Sequence, residues 1–241
     1  ETADLCQKGS QSAAVDYLVT QEMKKYLSLI SRSKENAALF RDSDTYPIMD
    51  LRTKDDIRQL VRLEEIYQYH FGVIYKSPYN TLLVDPIRRG DTVFPYERIY
   101  PSSNKDGVVM ITVYQSNYVL LKQFRHAPRA VQYSFPRGFA EPEYTSEENA
   151  KRELEEEIGA VVTKTPMLIG RVISDSGLTS GKVFVYYIEI DSYTPPASEH
   201  EGIKEIIEIP CAEMDHWIGE GNTDDGFTLS AYALYKCRSG L

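Results

Sequence analysis

The stretch Pro136–Ala160, PRGFAEPEYTSEENAKRELEEEIGA, places eight glutamates in 25 residues and carries two glycines, Gly138 and Gly159, near its ends. At this density the carboxylates are either the solvated face of an acidic helix or the ligands of a cation. Thr145 or Ser146 has the side-chain oxygen that an N-cap needs, and Gly159 suits the left-handed residue that closes a helix. Strong helix formers lie between them, so the sequence predicts a helix over 146–158. At about 100° per residue, Glu153, Glu156 and Glu157 fall within one arc of roughly 100°. Leu154 and Ile158 form a neighbouring apolar stripe that can anchor the helix to a sheet, while Glu155 points away. Three carboxylates held together repel one another unless a cation compensates them. Hard oxygen donors in that number suit Mg²⁺ or Mn²⁺, which bind phosphates through their remaining positions. Spacing alone still favours the solvated helix for an arbitrary glutamate cluster.

Outward from this stretch, the 241 residues allow one large or two modest domains with a proper core. A formal charge of -9 argues against a nucleic-acid or anionic-membrane surface, and an acidic chain that handles phosphates needs help from a cation. The three cysteines, Cys6, Cys211 and Cys237, show no CxxC spacing, so neither a structural zinc nor a disulfide framework is expected. No apolar run reaches the roughly 20 residues of a membrane span, and ETADLCQKGS lacks the segments of a secretory signal. A reduced, cytoplasmic setting is the expectation.

From Gln11 to Lys34, Val15, Leu18, Val19, Met23, Tyr26, Leu27 and Ile30 recur at helical spacing. Ile57, Leu60, Val61 and Ile66 do so after Thr53, which forms a capping-box pattern with Asp56. Residues 1–70 therefore read as a helical N-terminal region with a packing or dimer-support role. After Gly72 the period changes. GVIYKSPY, TLLVDPI and DTVFPYERIY are short β-branched and aromatic runs cut by proline and glycine. The run GVVMITVYQSNYVLLKQFRH reads as a hairpin turning at Ser116–Asn117. PMLIGRVIS and KVFVYYIEI are further strands, and FTLSAYALYKC is a last helix. The order implies an α+β chain with an antiparallel or mixed sheet.

The acidic helix has a more specific pattern than its charge. Gly138, Arg152-Glu153-Leu154, Glu156-Glu157 and Gly159 resemble the Nudix box, G-x5-E-x7-R-E-U-x-E-E-x-G-U with U aliphatic. Tyr144 stands where the first glutamate belongs, with Glu141 or Glu143 as possible replacements, and Ala160 closes the box in place of a larger aliphatic. Lys122-Gln123-Phe124-Arg125-His126 and Pro136-Arg137-Gly138 resemble segments of the ADP-ribose pyrophosphatase type. So do SDSGLTSGKVFVYYIEI and DGFTLSAYALYK downstream, and the likeness covers 107–236.

The resemblance implies an α/β/α sandwich with a mixed sheet over 71–241. It also implies hydrolysis of a nucleoside diphosphate sugar such as ADP-ribose, a divalent-ion cofactor and a homodimer. It makes Glu153, Glu156, Glu157 and the carbonyl of Arg137 the metal ligands, oriented by Arg152. The general base is expected on a late loop, at Glu201 or, second, Glu199. Arg125 and Arg129 are candidates for phosphate contact. Gly138 and Phe139 are candidates at the substrate, with Tyr75 and Tyr114 as other rings for a base. His126, His200 and the loop Asp175-Ser176-Gly177 are weaker. Another nucleoside diphosphate derivative, a dinucleotide polyphosphate or NADH, is the enzymatic alternative, with NADH less favoured for want of a C-x2-C zinc pair, and a Nudix-fold binding or regulatory module is the alternative of another class.

Overall fold

The computed structural model describes residues 20–31, 39–41, 43–51, 53–103, 105–141, 143–195 and 202–239. Their elements, in chain order, are α1 (Gln21–Ser31), α2 (Lys54–Tyr67), β1 (Gly72–Lys76), β2 (Asn80–Arg89) and β3 (Thr92–Pro101). There follow β4 (Gly107–Tyr114), β5 (Asn117–Arg125), β6 (Ala130–Ser134), β7 (Arg137–Gly138) and α3 (Ser146–Ile158). The chain ends with β8 (Ala160–Val161), β9 (Met167–Val172), β10 (Val183–Glu189), β11 (Ser192–Tyr193), β12 (Ile203–Pro210), α4 (Met214–Gly219) and α5 (Gly226–Ser239). Contacts divide the chain into two compact units, Glu1–Ser102 with Gly177–Ser180, and Ser103–Ser176 with Gly181–Leu241. The division thus falls at 102/103 rather than 70/71, because β1–β3 form their own sheet and share a core with α1 and α2.

In the first unit, β1, β2 and β3 pair antiparallel in that order. Met23 and Tyr26 of α1 and Leu60 of α2 are fully buried with Phe71, Leu83 and Val84. The capping box at the start of α2 is present: the Asp56 N–H donates to Thr53 Oγ1 at 3.1 Å, and the Thr53 N–H to Asp56 Oδ2 at 3.0 Å. Ile66 departs from the expected stripe and is exposed. Val15, Leu18 and Val19 lie outside the described residues. Pro86 and Pro95 do not end their strands but stand opposite each other in the β2–β3 ladder. β1 has already ended at this level, and the Met49 N–H donates to the Pro86 carbonyl at 2.8 Å, so the missing proline donors fall where no ladder bond is lost. Segment 177–180 runs beside β3, with the Ile99 N–H donating to the Leu178 carbonyl at 2.8 Å and the Ser180 N–H to that of Ile99 at 3.0 Å.

The second unit is built on a seven-stranded mixed sheet of order β12-β5-β4-β10-β9, with β6 on β5 and β7 on β4. β10 runs parallel to β4 and the other pairs are antiparallel. One face packs Val108, Met110, Val119, Leu121, Tyr186 and Ile188 against Ala150, Leu154 and Ile158 of α3. The other packs Val109, Ile111, Leu120, Ile169 and Val185 against Met214 of α4 and Ala231 and Tyr232 of α5. Alternate residues of β4 and β5 therefore belong to different cores, giving the expected α/β/α layering.

The β4–β5 hairpin turns one residue earlier than predicted. Gln115 and Ser116 occupy positive φ (46° and 68°), and Tyr114 faces Asn117, a two-residue primed turn that suits the twist of the strands. Among the described residues Cys211 and Cys237 are free thiols, and no helix is long and apolar enough to cross a membrane.

Candidate active site

The α3 helix spans the predicted residues because both of its ends are satisfied locally. Thr145 is the N-cap: the Glu148 N–H donates to Thr145 Oγ1 at 3.2 Å, and Glu148 Oε2 accepts from the Thr145 N–H at 2.8 Å. Donation from the Thr145 N–H first, and then from its hydroxyl at 2.7 Å, holds the Glu148 carboxyl below its ordinary range. Gly159 ends the helix at φ 63°, donating to the Glu155 carbonyl at 2.9 Å. Leu154 and Ile158 are fully buried on the sheet, which fixes the rotation of the helix and hence the direction of each glutamate.

The box glutamates then separate. Glu157 is buried, 6 % exposed, and its Oε2 accepts from the Arg137 N–H at 3.2 Å. Glu153 rests its carboxylate on the Cα of Gly138, where any Cβ would overlap it. The box glycine is therefore a seat for a carboxylate, and Glu153 and Glu157 both meet the dipeptide Arg137-Gly138. Glu156 turns elsewhere, accepting from Arg152 Nη2 at 2.5 Å. Glu155 is exposed, as expected.

Arg152 is the hub of the exposed side of α3. Its Nη1 lies 2.7 Å from Glu141 Oε2, its Nη2 binds Glu156, and its guanidinium stacks 4.5 Å from the centre of the Tyr144 ring. The carboxylates of Glu141 first, then Glu156, which accept from the guanidinium, hold its pKa further above the usual arginine range. Of the two candidate replacements for the missing box glutamate, Glu141 makes the ion pair. Tyr144 adds a cation–π face.

The segment entering the box is fixed from several sides. The Asn149 amide, 2 % exposed on α3, donates to the Phe139 carbonyl at 2.8 Å. The Arg137 side chain pairs with Asp225 Oδ1 at 2.9 Å and lies over Phe227. Asp225, just before α5, has no counterpart among the residues singled out from the sequence. Its signal was the spacing Asp225-x-x-Thr228, an N-cap pattern before an apolar run.

The remaining candidates are more dispersed. Arg125 Nη2 approaches Ser134 Oγ at 3.4 Å on the β5–β6 hairpin. Arg129, in the turn of that hairpin at φ 55°, stacks over Phe124 and contacts His126 Nδ1 at 2.9 Å. Phe139 is 74 % exposed beside Gly138, whereas Tyr114 packs edge-on to Tyr193. Tyr75 belongs to β1 of the first unit and is exposed. Glu199, His200 and Glu201 lie outside the described residues.

In chemical kind, two carboxylates and a main-chain carbonyl on one short segment fit a hard divalent cation. Among the described residues, however, no three carboxylate, thiol or imidazole groups converge on one point. The Arg152–Glu156 pair is the visible reason that the third box carboxylate is engaged elsewhere.

A family model described as the NUDIX domain matches residues 103–225, beginning where the second compact unit begins. The chain belongs to the Nudix family. The fold agrees with that membership. A solved structure described as a crystal structure of ADP compounds hydrolase superposes with a TM-score of 0.59 at 18 % identity, covering 68 % of this chain and 88 % of that one. No curated protein matches the chain. In this Nudix chain the box helix, its capping and both carboxylate seats on residues 137–138 are in place.

Proposed function

We propose that the chain is a Nudix pyrophosphohydrolase that cleaves the pyrophosphate of ADP-ribose or a related nucleoside diphosphate sugar with Mg²⁺ or Mn²⁺. The observation that carries this reading is the seating of Glu153 and Glu157 against Gly138 and the Arg137 N–H, beside the Arg137 carbonyl. Glu153, Glu156, Glu157 and that carbonyl would hold the cation. When bound, it supplies charge neutralisation for the pyrophosphate and acidifies the attacking water.

The chain's own residues supply the rest. Arg152 holds Glu156 in an ion pair, and Glu141 would keep the guanidinium neutralised were Glu156 to serve as a ligand. Arg125 and Arg129 contact the phosphates, and the exposed Phe139 ring offers a face for the base. Glu201, or else Glu199, takes the proton of the attacking water. Ion clamping also reconciles a polyanionic substrate with a chain of charge -9.

The test is product release from ADP-ribose, GDP-mannose, diadenosine polyphosphates and NADH with Mg²⁺ or Mn²⁺, by the wild type and Glu156→Gln. ADP-ribose or a nucleotide sugar should be turned over fastest, and the variant should lose most of that rate. Tight binding of one compound with no turnover of any would replace this reading with a binding module, and equal turnover by the variant would remove Glu156 from the site.

A further inference from the structure

The Arg137-Gly138 segment that seats Glu153 and Glu157 is not held by the box helix alone. Strand β6 and the residues after it run alongside the start of α5, which is remote in sequence, and polar contacts tie the two together. Thr223 Oγ1 donates to the Tyr133 carbonyl at 2.6 Å, the Phe135 N–H donates to Thr228 Oγ1 at 3.0 Å, and Arg137 Nη1 pairs with Asp225 Oδ1 at 2.9 Å. The second oxygen of Asp225 accepts from Thr228 N and Oγ1 at 2.9 and 2.8 Å, as the cap of α5. Asp225 is 6 % exposed and Thr228 fully buried, so the carboxylate is fixed on both sides. Its Oδ1 is aimed at Arg137, whose own N–H holds Glu157.

We propose that Asp225 is a positioning residue of the candidate active site. Through the Arg137 side chain it sets the backbone whose N–H binds Glu157, whose carbonyl is a candidate ligand and whose following glycine seats Glu153. A buried carboxylate on a long arginine arm is a rigid strut, because both partners are ordered by further bonds and the guanidinium is also packed on Phe227. This inference rests on the proposed metal site.

The test separates the strut from the cap. Asparagine caps a helix as well as aspartate does, so Asp225→Asn keeps the bonds to Thr228 and removes the charge that holds Arg137. Direct Mn²⁺ titration without substrate, followed by electron paramagnetic resonance, should show affinity falling by about 10- to 100-fold. Hydrogen exchange at the Arg137 amide should accelerate in the same variant. Arg137→Met should weaken Mn²⁺ comparably, and the double variant should be no worse than either single one. Asp215→Asn, which weakens the contacts of Tyr232 and Lys236 on the later turns of α5 at 2.7 and 2.8 Å without touching Asp225 or Arg137, should lower the melting temperature and leave Mn²⁺ affinity unchanged. Wild-type affinity and amide protection in Asp225→Asn would overturn the proposal, as would an equal loss in Asp215→Asn. A wild type that neither binds Mn²⁺ nor hydrolyses any substrate would overturn the metal site itself and this inference with it. A wild type that does both while Asp225→Asn matches it would overturn only the strut.

Discussion

Gly138→Ala isolates the seat of Glu153 from the stability of the fold. A Cβ needs roughly 3.5–4.0 Å from other heavy atoms, and at position 138 it would overlap the Glu153 carboxylate, which must retreat by on the order of 1–2 Å. The obstacle is the far end of a flexible side chain rather than backbone, and Gly138 is not among the residues at positive φ. Alanine is thus compatible with the main chain, and its lower unfolded-state entropy offsets part of any strain by about 0.4–1 kcal/mol. Net destabilisation should stay below about 1 kcal/mol, a shift of no more than about 2–4 °C in melting temperature for a chain of this size. Activity should respond far more, because misplacing a catalytic group by about 1 Å costs on the order of 100-fold, or about 2.7 kcal/mol of transition-state stabilisation. The assay is steady-state hydrolysis of ADP-ribose at saturating Mg²⁺, beside calorimetry on the same preparations. Glu153→Ala alone and combined with Gly138→Ala completes the cycle, and the double variant should match Glu153→Ala. Wild-type activity in Gly138→Ala would refute the idea that Glu153 works from this seat. A melting temperature lowered by more than about 8 °C would show that the backbone, not the carboxylate, needs the glycine.

Three further outcomes follow from individual contacts. Glu141→Gln removes the ion pair to Arg152 and should raise the Mg²⁺ concentration for half-maximal rate by about tenfold, whereas Glu143→Gln should leave it unchanged; equal effects would remove Glu141 from its role. Burial raises the Glu64 carboxyl above 4.5, opposed mainly by the hydrogen bond from the Phe71 N–H. A raised carboxyl favours folding below its unfolded value and loses that contribution as pH rises through the folded value. Glu64→Gln, which keeps an acceptor for Phe71, should therefore gain stability over the wild type between about pH 4 and pH 7 in urea denaturation, and a pH-independent difference would contradict this. In the first unit, Asp85 is 2 % exposed and receives both Tyr26 and Arg98, so Asp85→Asn takes the carboxylate from an ion pair whose arginine side chain is 17 % exposed and should cost about 1.5–3 kcal/mol by chemical denaturation, against less than about 1 kcal/mol for an exposed control such as Asp55→Asn.

The readable features were those fixed within a few residues of themselves. Thr145, Glu148 and Gly159 delimit α3 by their own hydrogen bonds, and Leu154 and Ile158 set its rotation, so the box helix could be placed from sequence. The β12 strand could not. Ile203, Ile206, Ile207 and Ile209 break the alternation of a strand because the register shifts between Ile203 and Glu205, and because the two faces of this strand pack into different cores. The compact units divide at 102/103 for a similar reason: the change from helical to strand period near residue 70 marks new secondary structure, and β1–β3 share a core with the helices before them. Within the site, an arc of three glutamates says which face they share but not where each carboxylate goes. Glu157 is drawn in by an N–H and Glu156 is drawn out by an arginine four residues earlier. The Arg137–Asp225 pair depends on how the last helix lies across the sheet, which no local pattern encodes.

Tyr144 bears most directly on whether the altered box can still serve a site. A glutamate there would give Arg152 a third carboxylate beside Glu141 and Glu156, more negative charge than one guanidinium can compensate. With Glu141 already 2.7 Å from Nη1, the place of the missing box carboxylate is filled from three residues upstream, and the tyrosine ring covers the guanidinium face instead. The exchange conserves the charge facing Arg152 while changing which residue carries it. Under the proposed function that conservation matters most, since a cation that took Glu156 would leave Arg152 in need of another partner. Glu141 provides the partner and Tyr144 restrains the arginine laterally. The departure from the box pattern is therefore compensated by residues on the same loop, which weakens the case for a site that has lost its chemistry. Tyr144→Glu should accordingly bring no gain in metal affinity, and a clear gain in a Mn²⁺ titration would show that Glu141 is an incomplete substitute.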